Sequence, residues 1–178
     1  MFDVHATEEE DKLVLLCAID RLGGCTEEQL MRFAVETGLM SQFPLSIALS
    51  SLKEAAFVRT SHRLEGELLH LTPEGRQSME LFASRIRASR QEKLEKNCAA
   101  WRRRVLDELS TPAQYASSGN GYAVTLRALE SGEEIFSMTL TAATKAQAKR
   151  FCERWPRKAA GIYQSVMERL GETENDEQ

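Results

Sequence analysis

LLHLTPEGRQSMELF, residues 68–82, changes character halfway along. Leu68–Leu71 is a short apolar run of strand length. Thr72-Pro73-Glu74-Gly75 then supplies a helix N-cap, a first-turn proline and an early acid. A strand therefore feeds directly into a helix at Thr72. Upstream, Phe57–Leu64 and Glu67–Leu71 read as two extended segments joined by a turn at Glu65-Gly66, which makes a hairpin.

Three helices precede that hairpin. Thr7 with Glu10 is a capping-box pair, followed by the stripe Leu13, Leu16, Cys17 and Asp20–Leu22 and a stop at Gly23-Gly24. Thr26 with Gln29 repeats the device, with Leu30, Phe33 and Ala34 inward and an end near Gly38. Pro44 opens the third helix, which buries Leu45, Ala48, Leu49, Leu52 and Ala56 and turns Ser46, Ser50, Ser51, Lys53 and Glu54 outward. Helix, helix, helix, hairpin, helix is the order of a winged helix-turn-helix. The expected fold class is α+β, with this domain over residues 1–87. The third helix, about 44–57, becomes the candidate for the major groove, and the hairpin, about 58–71, the wing.

The phrase at 68–82 resembles the end of the wing in PadR-like and MarR-like bacterial regulators, where a strand enters an L-T-x-x-G turn and then a helix. DKLVLLCAID, residues 11–20, resembles the NKLLLLYILD-type opening of an uncharacterised bacterial family, domain of unknown function 4364. AKRFCERWPRKAAGIYQSVMERL, residues 148–170, is similar to that family's closing helix, with its Trp and later Ile-Tyr. The resemblance spans nearly the whole chain, and its motifs are structural. It implies a regulator-like N-terminal half and no catalytic residues.

Arg76–Leu109 contains neither proline nor glycine, which predicts one long helix or two nearly continuous ones. Met79, Phe82 and Ile86, then Leu94, Cys98, Trp101, Val105 and Leu109, recur at three- and four-residue steps, and polar Ser89–Glu92 interrupts them. Such a stripe has to be covered, either by the C-terminal domain or by the same helix of a second subunit. Residues 88–111 are thus expected to connect and dimerise, with Phe82, Ile86, Leu94, Trp101 and Val105 at the interface. Ser110-Thr111-Pro112 ends the helix. Ala113–Ser118, Gly121–Glu130 and Glu133–Thr141 form a meander around turns at Asn120-Gly121 and Ser131-Gly132. Thr144 and Gln147 cap a last helix, which Pro156 is expected to kink or divide. Residues 112–171 read as a βββα unit, and 172–178 as a disordered polar tail.

Composition narrows the function. The chain of 178 residues carries a formal net charge of −4, and residues 1–87 hold 9 Lys and Arg against 14 Asp and Glu. That balance argues against promiscuous nucleic-acid binding and leaves room only for a small basic face. No apolar run reaches the roughly 20 residues of a membrane span, and the acidic start MFDVHATEEED is unlike a secretory signal. A cytoplasmic protein with no membrane partner is expected. Cys17, Cys25, Cys98 and Cys152, like His5, His62 and His70, have no ligand spacing. No metal, cofactor or catalytic constellation is expected, and the chain does not read as an enzyme.

The leading reading is a transcriptional regulator that binds double-stranded DNA as a homodimer. Gln42, Ser46, Ser50 and Lys53 would face the groove, with Arg59, His62 and Arg63 on the wing. One lysine and small hydroxyls are light equipment for bidentate base reading. The competing reading is a protein-interaction or dimerisation module that uses this fold without DNA, pairing through an exposed edge of the small sheet. A third is a pocket between the halves for an unknown small-molecule effector, lined by Trp101, Trp155 and Tyr163. A protein effector is the other possible partner.

Overall fold

The computed structural model describes residues 7–63 and 66–171. The expected strand end at Leu64, the turn residue Glu65, His5 and the tail 172–178 lie outside the described residues. The chain is α+β and divides into two units, the first ending at Leu106 and the second beginning at Asp107.

The first unit runs α1 (Glu8–Leu22), α2 (Glu27–Glu36), α3 (Gln42–Glu54), β1 (Val58–Arg63), β2 (Gly66–Leu71), α4 (Pro73–Phe82) and most of α5 (Ala88–Ser110). The expected caps form, the first only by half, because the Glu10 carboxylate turns to Arg87 instead of the Thr7 backbone. Thr7 Oγ1 accepts from Glu10 N at 3.2 Å, and Thr26 and Gln29 satisfy each other's backbone N–H groups. Gly23 ends α1 in the left-handed region, φ 79°. β1 and β2 pair antiparallel from Val58 opposite Leu71 to Arg63 opposite Gly66. Leu69 N also donates to Cys25 O at 2.8 Å, tying the hairpin to the link between α1 and α2.

α3 begins two residues ahead of Pro44, with Ser41 as an N-cap that makes no side-chain bond, and ends at Glu54. Ala56, expected on its buried face, is exposed instead. It takes φ 55° in the turn that reverses the chain into β1. The motif Thr72-Pro73-Glu74-Gly75 fastens the far end of the hairpin to this same turn. Thr72 Oγ1 accepts from Gly75 N at 3.1 Å and donates to Ala56 O at 2.8 Å, while Thr72 N donates to Phe57 O at 3.0 Å. A Cβ on Gly75 would overlap the Phe57 carbonyl oxygen, so the glycine is there for close approach.

Arg76–Leu109 is two helices. A 3-10 turn at Ala83–Arg85 and an extended Ile86 (ψ 129°) separate α4 from α5, so the break falls before polar Ser89–Glu92. The α5 stripe is then covered within the first unit. Ile86, Leu94, Cys98, Trp101 and Val105 are buried, and the Trp101 ring meets Phe33 of α2 edge-on at 5.6 Å. The stripe, expected to be covered by the C-terminal domain or by a second subunit, is thus already buried in the single chain. Most of what was expected to be a separate connector belongs to the first unit's core.

The second unit holds β3 (Ala113–Ser118), β4 (Gly121–Glu130), β5 (Glu133–Ala142) and α6 (Lys145–Gly171). The sheet is antiparallel in the order β3-β4-β5. Val124, Leu126 and Ala128 of β4 bury against Ala148, Trp155 and Ala159 of α6, and the Trp155 indole N–H donates to Arg127 O at 2.6 Å. α6 runs through Pro156 without dividing.

Candidate nucleic-acid interface

The seven residues expected to meet DNA lie on α3 and on the β1–β2 hairpin. At 100° per residue, Gln42, Ser46 and Lys53 share one flank of α3, and Ser50 lies further round. All four are exposed, but three are engaged within the chain. Ser46 Oγ donates back to Gln42 O at 3.1 Å, and Ser50 Oγ donates to Glu54 Oε1 at 3.3 Å. Lys53 Nζ donates to Glu27 Oε2 of α2 at 2.8 Å. The single lysine of this helix is therefore partly neutralised.

The face of α3 turned furthest from the core carries what the sequence reading passed over. Phe43 is 76 % exposed and Ile47 is 45 % exposed. They stand a helical turn apart, roughly opposite Leu45 and Leu49. The signal was present. Leu45, Ala48, Leu49 and Leu52 already fill a buried arc of about 100°, which leaves no inward place for two more apolar side chains.

On β1, alternation puts Arg59, Ser61 and Arg63 on one face and His62 on the other. Arg59 and Arg63 are exposed, and among the described residues no acid pairs with either. His62 Nδ1 lies 3.2 Å from Glu67 Oε1 across the hairpin. His70 stands opposite Arg59 and against Gly24, where an added Cβ would lie 2.7 Å from its ring. Burial, and then the charges of Arg59 and Arg63, push the His70 imidazole below its ordinary range, so at neutral pH it adds no charge to this face.

α5 braces the turn that aims α3. Lys93 Nζ donates to Gly38 O at 2.6 Å and Arg90 to Leu39 O at 3.2 Å, while Arg104 pairs with Glu36 at 3.2 Å. Gly38 (φ 64°) and the buried Leu39 and Met40 make up that turn. Its geometry is fixed by a helix more than fifty residues away in sequence.

Of the residues expected at a dimer interface, Ile86, Leu94, Trp101 and Val105 are core, and only Phe82 stays accessible, with Arg85 4.6 Å above its ring. The tryptophans expected to line an effector pocket serve as core in separate units, Trp101 on Phe33 and Trp155 on Phe136, with Tyr163 also edge-on to Phe136. A cavity of about 490 Å³ lies in the first unit instead, floored by Leu13, Leu16, Leu52, Phe57 and Phe82 with Arg85 at its rim. Burial pushes the Cys25 thiol up to about 12 and Cys98 to about 11, as expected for packed, unreactive cysteines. Among the described residues no helix is long and apolar enough to cross a membrane.

The architecture is that of an α+β protein in which a helical unit with a β-hairpin precedes a three-stranded sheet backed by a helix. A family model described as a domain of unknown function (DUF4364) matches residues 11–170, and the chain belongs to that family. No curated protein and no solved structure matches it.

Proposed function

We propose that the first unit is a winged-helix DNA-binding module of the transcriptional-regulator kind, with α3 entering the major groove and the β1–β2 hairpin acting as the wing. One observation carries this reading. The outward face of α3 is uncovered, and the hairpin that follows it offers Arg59 and Arg63 with no acid partner among the described residues. Groove-facing side chains read bases while the arginines neutralise phosphates. The rest of the face is only lightly charged, so affinity is expected to be modest and strongly salt-dependent. The test is retention of the purified chain on duplex genomic fragments across a salt gradient. Retention that falls steeply with salt and is abolished by Arg63→Glu supports the reading. Absence of salt-sensitive retention overturns it.

A second reading, a protein-interaction module, is favoured by a different observation. Among the described residues β3 and β5 each pair only with β4, which leaves both edges of the small sheet open for another chain to extend. A homodimer, the form in which regulators of this kind present two recognition helices, would then pair through the second unit, because the α5 stripe is already buried in the first. Light scattering at micromolar concentration tests this. A monomer removes the edge-pairing reading, and a dimer disrupted by a proline within β3 or β5 supports it.

A further inference from the structure

We infer that Phe43 and Ile47 read the C5-methyl groups of thymine, so that this module prefers A·T pairs where the N-terminal half of α3 meets the groove. The inference rests on the DNA-binding reading above and names what that site recognises. Phe43 and Ile47 occupy the outermost line of α3, at its N-terminal half, which is the part of a recognition helix that meets base edges. The thymine methyl is the apolar group that base pairs display in the major groove.

The neighbouring side chains exclude the commoner alternative. Bidentate reading of guanine needs an arginine or lysine on this face. α3 has no arginine, and its lysine is held by Glu27 at 2.8 Å. The hydroxyls of Ser46 and Ser50 are turned onto Gln42 O and Glu54 Oε1. Besides Gln42, whose exposed amide suits adenine and so the same A·T pairs, apolar contact is what remains on offer. Two side chains are also a small fraction of the roughly 800 Å² per partner that a stable protein interface buries, which disfavours a second copy or another protein as the occupant. Arg59 and Arg63 on the next element, which no acid pairs with among the described residues, complement a polyanion.

The experiment measures affinity of the full chain, by fluorescence anisotropy, for three short duplexes at fixed salt. One is alternating A·T, which presents a methyl at every base pair in any register. The second is identical with uracil for thymine, which removes only the methyls. The third is alternating G·C. Wild type is expected to bind the thymine duplex roughly fourfold more tightly than the uracil duplex for each methyl buried, so about fifteenfold for two. Phe43→Ser/Ile47→Ser should bind thymine and uracil duplexes equally, at the wild-type level for uracil, with an unchanged salt slope. Both positions are solvent-facing, and an unchanged melting temperature would verify the fold of the variant.

Equal wild-type affinity for thymine and uracil, with salt sensitivity retained, overturns the inference and leaves the DNA-binding reading standing. No salt-sensitive binding to any duplex overturns that reading first. A double variant that changes the oligomeric state, or that weakens the thymine and uracil duplexes equally, overturns the inference in favour of a protein contact or a purely structural role.

Discussion

Glu10 sits at the start of α1, buried, with its carboxylate gripped by the Arg87 guanidinium at 2.9–3.1 Å and by the Arg87 backbone N–H at 3.0 Å. Arg90, only 2 % exposed, reaches Asp11 Oδ1 at 2.7 Å and Glu10 Oε2 at 3.7 Å. Burial alone would raise the Glu10 carboxyl, but the Arg87 hydrogen bonds and the charges of Arg90 and Arg87 outweigh it and hold it below the ordinary 4.5. A carboxyl with a depressed folded pKa contributes stability above its unfolded value and loses it as pH falls through the folded one. The urea midpoint of the chain should therefore hold near neutrality and fall below pH 4.5. In Glu10→Gln the acid limb should be shallower, from a lower neutral plateau. An unchanged acid limb would show that this network does not drive the loss. Gly75 makes a second prediction at this scale. Alanine in a helix is ordinarily worth about 1 kcal/mol over glycine, but here its Cβ overlaps Phe57 O, which is backbone and cannot rotate aside. Overpacking of that kind costs about 1–3 kcal/mol, so Gly75→Ala should lower the urea midpoint, and a rise would show that the approach relaxes freely.

α5 is the element whose role differs most from what its pattern implied. Trp101 is buried against Phe33, with the Arg104 guanidinium 4.5 Å above its ring. Trp101→Ala should cost about 3–5 kcal/mol in chemical unfolding. It should leave the oligomeric state unchanged, whereas a shift in light-scattering mass without loss of stability would restore the helix as an interface. The periodicity of α5 was legible, because period depends only on which positions are apolar. Its partner was not, because a stripe says that something covers it and not what. Local devices read well for the same reason. Thr7, Thr26, Thr72 and Thr144 each accept from the N–H three residues on, a bond decided within one turn. The hairpin signal at Asn120-Gly121 found the reversal but one residue late: the turn is Gly119-Asn120, with Gly119 at φ 56°, and Gly121 already pairs with Ser118 in β4. Phe43 and Ile47 went unread because apolar residues are assigned inward by default. Only the full angular inventory of α3 shows that the inward arc is already occupied. Lys53 looked available as a groove contact, since its partner Glu27 stands 26 positions away on another helix.

For the whole molecule, a net charge of −4 sets the terms on which any polyanion can be bound. An acidic protein repels DNA at long range and gains affinity only where local cations outweigh that field. On the DNA-binding reading, those cations are Arg59 and Arg63, while Lys53 is partly neutralised by Glu27 and His70 is kept uncharged. Each phosphate neutralised contributes about 0.9 to the slope of log affinity against log salt. Arg59→Ala and Arg63→Ala should thus each lower that slope by about 1 and weaken binding alike on all sequences. Lys53→Ala should change it by less. Glu27→Gln provides the complementary arm, because it releases Lys53 and should steepen the slope toward the value of one more contact. Slopes measured for the four variants separate a local basic face from general attraction. Equal, small changes for every one of them would mean that the arginines of the hairpin are not at the phosphates.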